Sequence, residues 1–349
     1  MMTLPSIDLD YLQHFLVGLL NTPSPTGFTD AAIQYAEEAF SKFPRLKLAR
    51  TRKGALLVTI PGKKHDAPRA LTSHVDTLGA MVKEIKLNGR MRLTQLGGFS
   101  WNSVEGEGCT IFTSDGRKYR GSILIDKASV HVYGRQPDLK REDETMEVRL
   151  DEVATTHDQV RALGINVGDF IAFDPRVEVV NHFVRSRHLD DKASVACLVT
   201  AVKALADANL QPEQTTYLLI SNFEEVGHGA AAGIPDEVTE LLVVDMAAIG
   251  DGQTSDEFHT SLCVKDSGGP YHHGLSQHLR QLADANQIPY KVDIYPHYGS
   301  DGEAFWSAGG NVAVALIGPG VDASHHYERT HLDALDATTR WVLAYVLSE

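Results

Sequence analysis

The rhythm of this chain changes twice, and those changes constrain its fold more than any single motif. From residue 8 to about 80, helical and strand-like stretches alternate. Tyr11, Phe15, Leu16 and Leu19 fall on one helical face, a second helix is expected near 31–43, and strand-like runs follow at 55–60 and 69–73. Asn21-Thr-Pro-Ser-Pro-Thr-Gly27 forms a turn-rich loop between the two helices. From about 81 to 178, short alternating runs are punctuated by Asn88-Gly89, Gly97-Gly98, Ser114-Asp115-Gly116 and Gly168-Asp169, the signature of a small all-β unit. The charge-rich stretch 138–152 is expected to be a solvated, mobile loop. After about 179 the first rhythm resumes. A helix is expected over 192–208, with Ala193, Ala196, Val199, Val202 and Leu205 on an apolar stripe. Buried strands are expected at 216–221 and 240–244, and helices at 276–286 and 336–347. The expected architecture is an α/β domain, residues 1–76 with 179–349, interrupted by a β-rich, barrel-like insert at 77–178. A chain of 349 residues suits that division.

Charge narrows the partners. Asp and Glu number 46 against 32 Lys and Arg, a net −14, which argues against nucleic acid or an anionic membrane as partner. No run approaches the ~18 apolar residues of a membrane span. The first apolar stretch, 15–20, follows Asp8 and Asp10 rather than the basic residues of an export signal, so a cytoplasmic location is expected. Cys109, Cys197 and Cys263 are far apart and show no CxxC spacing, which suggests neither a zinc knuckle nor a disulfide framework.

Chemistry-bearing residues concentrate in five short segments: Ser73-His-Val-Asp76, His188-Leu-Asp-Asp-Lys192, Asn222-Phe-Glu-Glu-Val-Gly227, Val243-Val-Asp-Met-Ala247 and Ser324-His-His-Tyr-Glu-Arg-Thr-His331. Four of them lie where a strand-like run ends or a helix begins. Open α/β sheets gather such loops outside the carboxyl ends of their strands. Singly, each segment has a plainer explanation: an Asp pair before a helix is commonly an N-cap, and glutamates are mostly surface residues. Asp245 is more telling, because a carboxylate ending the run Leu241-Leu-Val-Val244 needs a partner. One residue per segment supplies His74, Asp190, Glu225, Asp245 and His325. Two imidazoles and three carboxylates suit zinc, cobalt or manganese. Five protein ligands are too many for one open tetrahedral site but fit two metals sharing a carboxylate.

These segments, together with Pro23-Ser-Pro-Thr-Gly27, His74-Val-Asp-Thr-Leu-Gly79, Leu96-Gly-Gly-Phe99, Val167-Gly-Asp169, Phe173-Asp-Pro175 and Gly299-Ser-Asp301, resemble in order and spacing the tetrahedral (TET) aminopeptidases. This is the glutamyl or deblocking aminopeptidase family of co-catalytic dizinc metallopeptidases. The resemblance spans nearly the whole chain. It implies a mixed-sheet α/β metallopeptidase domain of the phosphorylase/hydrolase-like, zinc-peptidase type. It also implies a β-rich insert that shapes the pocket and drives assembly into dimers and hollow dodecamers. Carried over by position, it makes His74, Glu225 and Asp245 terminal ligands and Asp190 the bridging carboxylate, joined to Asp191 by a cis peptide. His325 closes the second metal's shell, Asp76 supports the site from behind, and Glu224 is the general base. Two departures stand out. Lys192 replaces the usual Arg, and the last ligand segment differs enough that His325, His326 and His331 compete. Distance from Asp301 and from the final helix favours His325.

The mechanism so implied is attack of a metal-bridging hydroxide on the scissile carbonyl of a peptide's first residue, with Glu224 taking and returning the proton. A dizinc deacylase or amidase acting on N-acyl amino acids or small amides is the nearest alternative. A non-catalytic scaffold is the more distant one, and the presence of every ligand candidate and of Glu224 argues against it.

Overall fold

The computed structural model of the chain describes residues 3–135 and 138–349. A nine-stranded mixed sheet forms its centre. Its main path runs Lys47–Arg50, Leu56–Ile60, Gln214–Ser221, Lys64–His74, Glu240–Val244, Ala313–Val321, Thr260–Lys265, Tyr290–Ile294, and the short Ala247–Ala248 pairs beside Ala313–Val321. The four middle strands, Gln214–Ser221, Lys64–His74, Glu240–Val244 and Ala313–Val321, are mutually parallel. Their carboxyl ends therefore emerge along one edge.

Side chains alternate across this sheet as strand geometry dictates. Leu71, Leu242 and Val244 join the larger core on one face, while Ala70, Leu241 and Val243 join a smaller core on the other. Both faces are covered, which is why residues 241–244 and 313–317 read as unbroken apolar runs. Helices Leu9–Leu20, Leu189–Asp207 and Leu332–Leu347 supply much of the larger core. The expected stripe on the second of these is wider than the sequence suggested: every residue from Leu189 to Val202 is buried. Two helices begin earlier than expected, at His273 and Leu332. Their caps are imidazole rings, His272 accepting from the Leu275 amide and His331 from that of Asp333, rather than the short polar side chains usual there.

Residues 79–173 contribute a separate element. Strands Gly79–Ile85, Met91–Leu96, Met146–Leu150, Lys118–Ile125, Gly108–Phe112 and Phe170–Phe173 close in that order into an antiparallel barrel. Val82, Leu93, Ile111, Ile123, Val148 and Ile171 fill it. The expectation of a solvated loop over 138–152 fails in its second half. Met146–Leu150 is a barrel strand with Met146 and Val148 fully buried, and its Glu147 is buried against Lys86 at 2.7 Å and Arg90 at 3.4 Å. Charge density masked a period-two apolar pattern.

A small three-stranded sheet, Glu178–Val180, Phe183–Ser186 and Glu328–His331, pairs Ser186 with Glu328. It sets the segment before Asp190 beside the segment after His325. The three cysteines are free and buried. Among the described residues, no helix is long and apolar enough to cross a membrane.

Candidate metal centre

The sheet edge assembles the five sequence segments. His74 ends its strand, Glu224 and Glu225 follow Ser221, Asp245 follows Val244, and the His325 loop follows Val321. Asp190 reaches the same place from the start of the helix Leu189–Asp207. Its two oxygens face two imidazoles: Oδ1 lies 3.2 Å from His74 Nε2, and Oδ2 lies 3.4 Å from His325 Nε2. Glu224 approaches His74 Nε2 at 3.7 Å, and Glu225 approaches His325 Nε2 at 3.7 Å. Two groups of potential donors result, Asp190 with Glu225 and His325, and His74 with Asp245 and Asp191. Within each, the donor atoms lie within 4.8 Å of one another. Asp191 was not among the sequence candidates. The Asp190-Asp191 peptide is cis, as the resemblance implies.

Both imidazoles are oriented from behind. His74 Nδ1 lies 2.9 Å from the Asp76 carbonyl oxygen and His325 Nδ1 lies 2.5 Å from the Gly98 carbonyl oxygen. Each Nδ1 therefore carries a hydrogen, so in the neutral ring Nε2 is the nitrogen that offers a lone pair to the cluster. Gly98 belongs to the barrel region, so that region touches the site directly.

Two buried carboxylates clamp the loops. Asp76 is fully buried and accepts from the amides of Glu224 (3.1 Å) and Glu225 (3.3 Å) and from the Thr26 hydroxyl (2.7 Å). Ser24 donates to the Val75 carbonyl at 2.7 Å, so the Pro-Ser-Pro-Thr-Gly loop serves to brace the strand end. Glu328, also fully buried, accepts from the amides of Asp190 (3.0 Å) and His325 (3.1 Å). Sequence reasoning quoted Glu328 within its segment without giving it a role. Asp301 accepts from Ser221, from Thr72 at 3.1 Å and from the Ala230 amide at 2.7 Å, tying two strand ends to the loop after Glu225. Backbone strain flanks the cluster: Phe223 (φ 65°) and His325 (φ 63°) adopt the left-handed conformation that residues other than glycine rarely take.

His326 and His331, the sequence's other contenders, lie outside both donor groups among the described residues. His331 instead caps the last helix and packs edge-on to Phe183. Lys192 is wholly buried and donates to the Thr22 carbonyl at 2.7 Å. Burial pulls its ammonium down to about 7, against the opposing charge of Asp76.

The cluster carries more negative charge than its own imidazoles offset. Burial, reinforced by Asp190, lifts Glu225 to about 8 and Asp245 to about 7. Burial lifts Glu224 well above the carboxylate range, with Asp245, Asp301 and Glu225 adding to the effect against His74. Burial pulls His325 down, but Asp190 and Glu225 outweigh it and raise the ring to about 10. Asp191 Oδ1 is buried with no hydrogen-bond partner. Oxygen and imidazole donors, surplus buried negative charge and an orphaned oxygen together fit divalent cations. A cavity of about 770 Å³ opens from the cluster, past Met246 and Ala248, to the helix Asp301–Ser307.

A mixed α/β sheet aiming its parallel strands at such a cluster, with a closed barrel set against it, defines a class: a peptidase among the hydrolases. Within that class the chain belongs to the M42 glutamyl aminopeptidase family, whose profile matches residues 54–341. It is 49% identical over 331 residues to YhfE of Bacillus subtilis (strain 168), assigned as an aminopeptidase, with 95% of each chain covered. It superposes on an aminopeptidase of the archaeon Desulfurococcus kamchatkensis with a TM-score of 0.85 at 21% identity, covering 97% of this chain and 94% of the other. For the TET1 peptidase of Pyrococcus horikoshii, which can assemble into a tetrahedron or a large octahedral shell, the TM-score is 0.84 at 19% identity. The coverage there is 97% and 100%. At those identities the superpositions speak for the fold. The family makes the chain an aminopeptidase, and peptidases of this family depend on metal.

Proposed function

We propose that this chain removes N-terminal residues from peptides with the help of two divalent cations per subunit. His74, Asp190, Glu225, Asp245 and His325 are their ligands and Glu224 is the general base. Zinc is the first candidate metal, and cobalt and manganese suit the same donors. The observation that carries the proposal is Asp190, whose two oxygens each address a different imidazole. A carboxylate so placed is suited to bridge.

When bound, the cations supply Lewis acidity, polarising the scissile carbonyl and easing deprotonation of a water. The chain's own residues do the rest. Glu224, beside His74 and lining the cavity, takes the proton of the attacking water and returns it to the leaving amine. Its raised proton affinity suits both halves of that task. Asp76 holds the Glu224 and Glu225 amides, and so fixes which carboxylate turns to the substrate and which to the cluster. Residues 77–178 are proposed as an element that shapes the pocket and mediates self-association. The assembly of the TET1 relative and the Gly98 contact to His325 support that role.

Turnover of amino-acid p-nitroanilides with a free α-amine, compared with their N-acetyl counterparts, tests the proposal. A chelator should abolish cleavage of the free-amine series, and zinc, cobalt or manganese should restore it. Preference for the acetylated series would replace the aminopeptidase reading with the deacylase one, and full activity after exhaustive metal removal would end the two-metal reading.

A further inference from the structure

The cavity leading from the cluster contains one carboxylate that the cluster does not use. Of its charged lining residues, Asp190, Glu224, Glu225, Asp245 and His325 belong to the proposed metal centre, and Glu303 does not. Glu303 sits on the helix Asp301–Ser307, which presents Glu303, Ala304 and Ser307 to the cavity on one helical face. Among the described residues, no lysine or arginine lines the cavity. Its other titratable side chains among the described residues are His228, His297 and Tyr298, whose hydroxyl donates to the Met246 carbonyl at 2.8 Å.

Glu303 lacks a cation of its own. It makes no salt bridge among the described residues; its Oε1 is buried against Gly268 without a hydrogen-bond partner, and its Oε2 lies beside Gly299, which lines the cavity. Its neighbour is a second carboxyl group, Asp266, which is itself buried and engaged by the Tyr271 hydroxyl and the Gly268 amide. Burial, and after it the contact with Asp266, lifts Glu303 to about 7, with Gly268 and Lys265 acting in the opposite sense. The Lys265 ammonium is committed to the Asp266 carbonyl at 2.7 Å. The backbone makes room for this arrangement: a Cβ at Gly268 would lie 1.7 Å from Glu303 Oε1. A carboxylate kept on a cavity wall, backed by another acid and without an ion-pair partner among the described residues, is stabilised by any cation delivered from the cavity side.

We infer that Glu303 selects substrates whose N-terminal residue carries a basic side chain, lysine or arginine, by pairing with its ammonium or guanidinium group. This rests on the aminopeptidase reading above and names its substrate class. The small apolar residues Ala231, Ala248 and Ala304 line the same space and accommodate the methylene stem of such a side chain. A glutamate or aspartate side chain would meet like charge at Glu303 and be rejected.

The test is kcat/KM for lysyl, arginyl, norleucyl and glutamyl p-nitroanilides at about pH 8, on the metal-loaded wild type, Glu303→Gln and Glu303→Lys. Norleucine matches the lysine stem without its charge. The wild type should prefer lysine over norleucine by about tenfold or more. Glu303→Gln should bring that ratio towards one, and Glu303→Lys should invert it and admit glutamyl substrate. A wild-type ratio near one, or a ratio unmoved in both variants, overturns the inference while leaving the aminopeptidase reading intact. If no free-amine substrate is cleaved with metal bound, that reading falls and the inference falls with it.

Discussion

Two adjacent glutamates are the sharpest case at the scale of single residues. Composition cannot separate them, yet their surroundings differ: Glu224 lies toward His74 and Glu225 toward His325 and Asp190. Glu225→Gln should therefore lower metal content as well as rate. Glu224→Gln should keep its metals and bind product-like inhibitors while kcat falls by about 10²–10⁴. Metal analysis beside steady-state kinetics distinguishes the two, and loss of metal in Glu224→Gln alone would exchange the roles. Glu328 adds a second residue-scale prediction. Its carboxylate holds the amides of both Asp190 and His325, so Glu328→Gln puts an N–H₂ group where one amide must be received. Metal affinity at the Asp190–Glu225–His325 group should drop by about 10–100-fold, as is typical when a group that orients a ligand is lost. Zinc titration of the stripped variant reads this directly, and an unchanged affinity would leave Glu328 a purely structural acid.

Elements explain what was legible in the sequence and what was not. The strand ending at Val244 announced itself because burial on both faces leaves an uninterrupted apolar run with a polar stop, and those ending at His74 and Ser221 carry shorter apolar stretches before their polar ends. Helix starts were harder, since His272 and His331 cap by ring nitrogen and carry none of the usual signal. The strand Met146–Leu150 was hidden by the charges that share its segment, one of which, Glu147, is buried by pairing with Lys86 and Arg90 at the ends of the 86–90 turn. Glu328 and Asp191 escaped assignment for a different reason. Their meaning lies in which distant amide or ring they meet, and that depends on strand register rather than local pattern. The contact from Gly98 to His325 was equally illegible, and it changes what removal of the barrel should do. Replacing residues 77–178 by a short linker should leave His74 oriented by Asp76 but free the His325 ring. Metal titration of such a protein should show one strong and one weakened site. Two sites of wild-type affinity would deny the barrel any part in the centre.

The whole molecule stores the charge conflict of its centre as a dependence on pH. Glu225 at about 8 and Asp245 at about 7 hold protons in the folded chain that they release on unfolding, where carboxylates titrate near 4. Between about pH 5 and 8 the folded, metal-stripped protein thus binds more protons than the unfolded one, and its stability falls as pH rises. His325, raised to about 10, acts in the same direction, because its contribution is complete below about 6.5 and fades as pH climbs towards the folded value. The fall should be on the order of 1 kcal/mol per pH unit for each group that is losing its extra proton, opposed above about pH 7 by Lys192, whose ammonium burial pulls down. Thermal unfolding of stripped protein should show a lower midpoint at pH 8 than at pH 5.5, with zinc reversing the loss at pH 8. A midpoint that rises with pH would mean that the carboxylates are already compensated by groups other than metal.

The most direct measurement of the central claim is metal stoichiometry per chain, followed through activity. Wild-type protein reconstituted with zinc should hold two ions per subunit and cleave free-amine substrates. Asp190→Asn should weaken both ions together, because one carboxylate faces both imidazoles. A single ion per active subunit, or an Asp190→Asn protein that keeps both at full affinity, would contradict the two-metal centre.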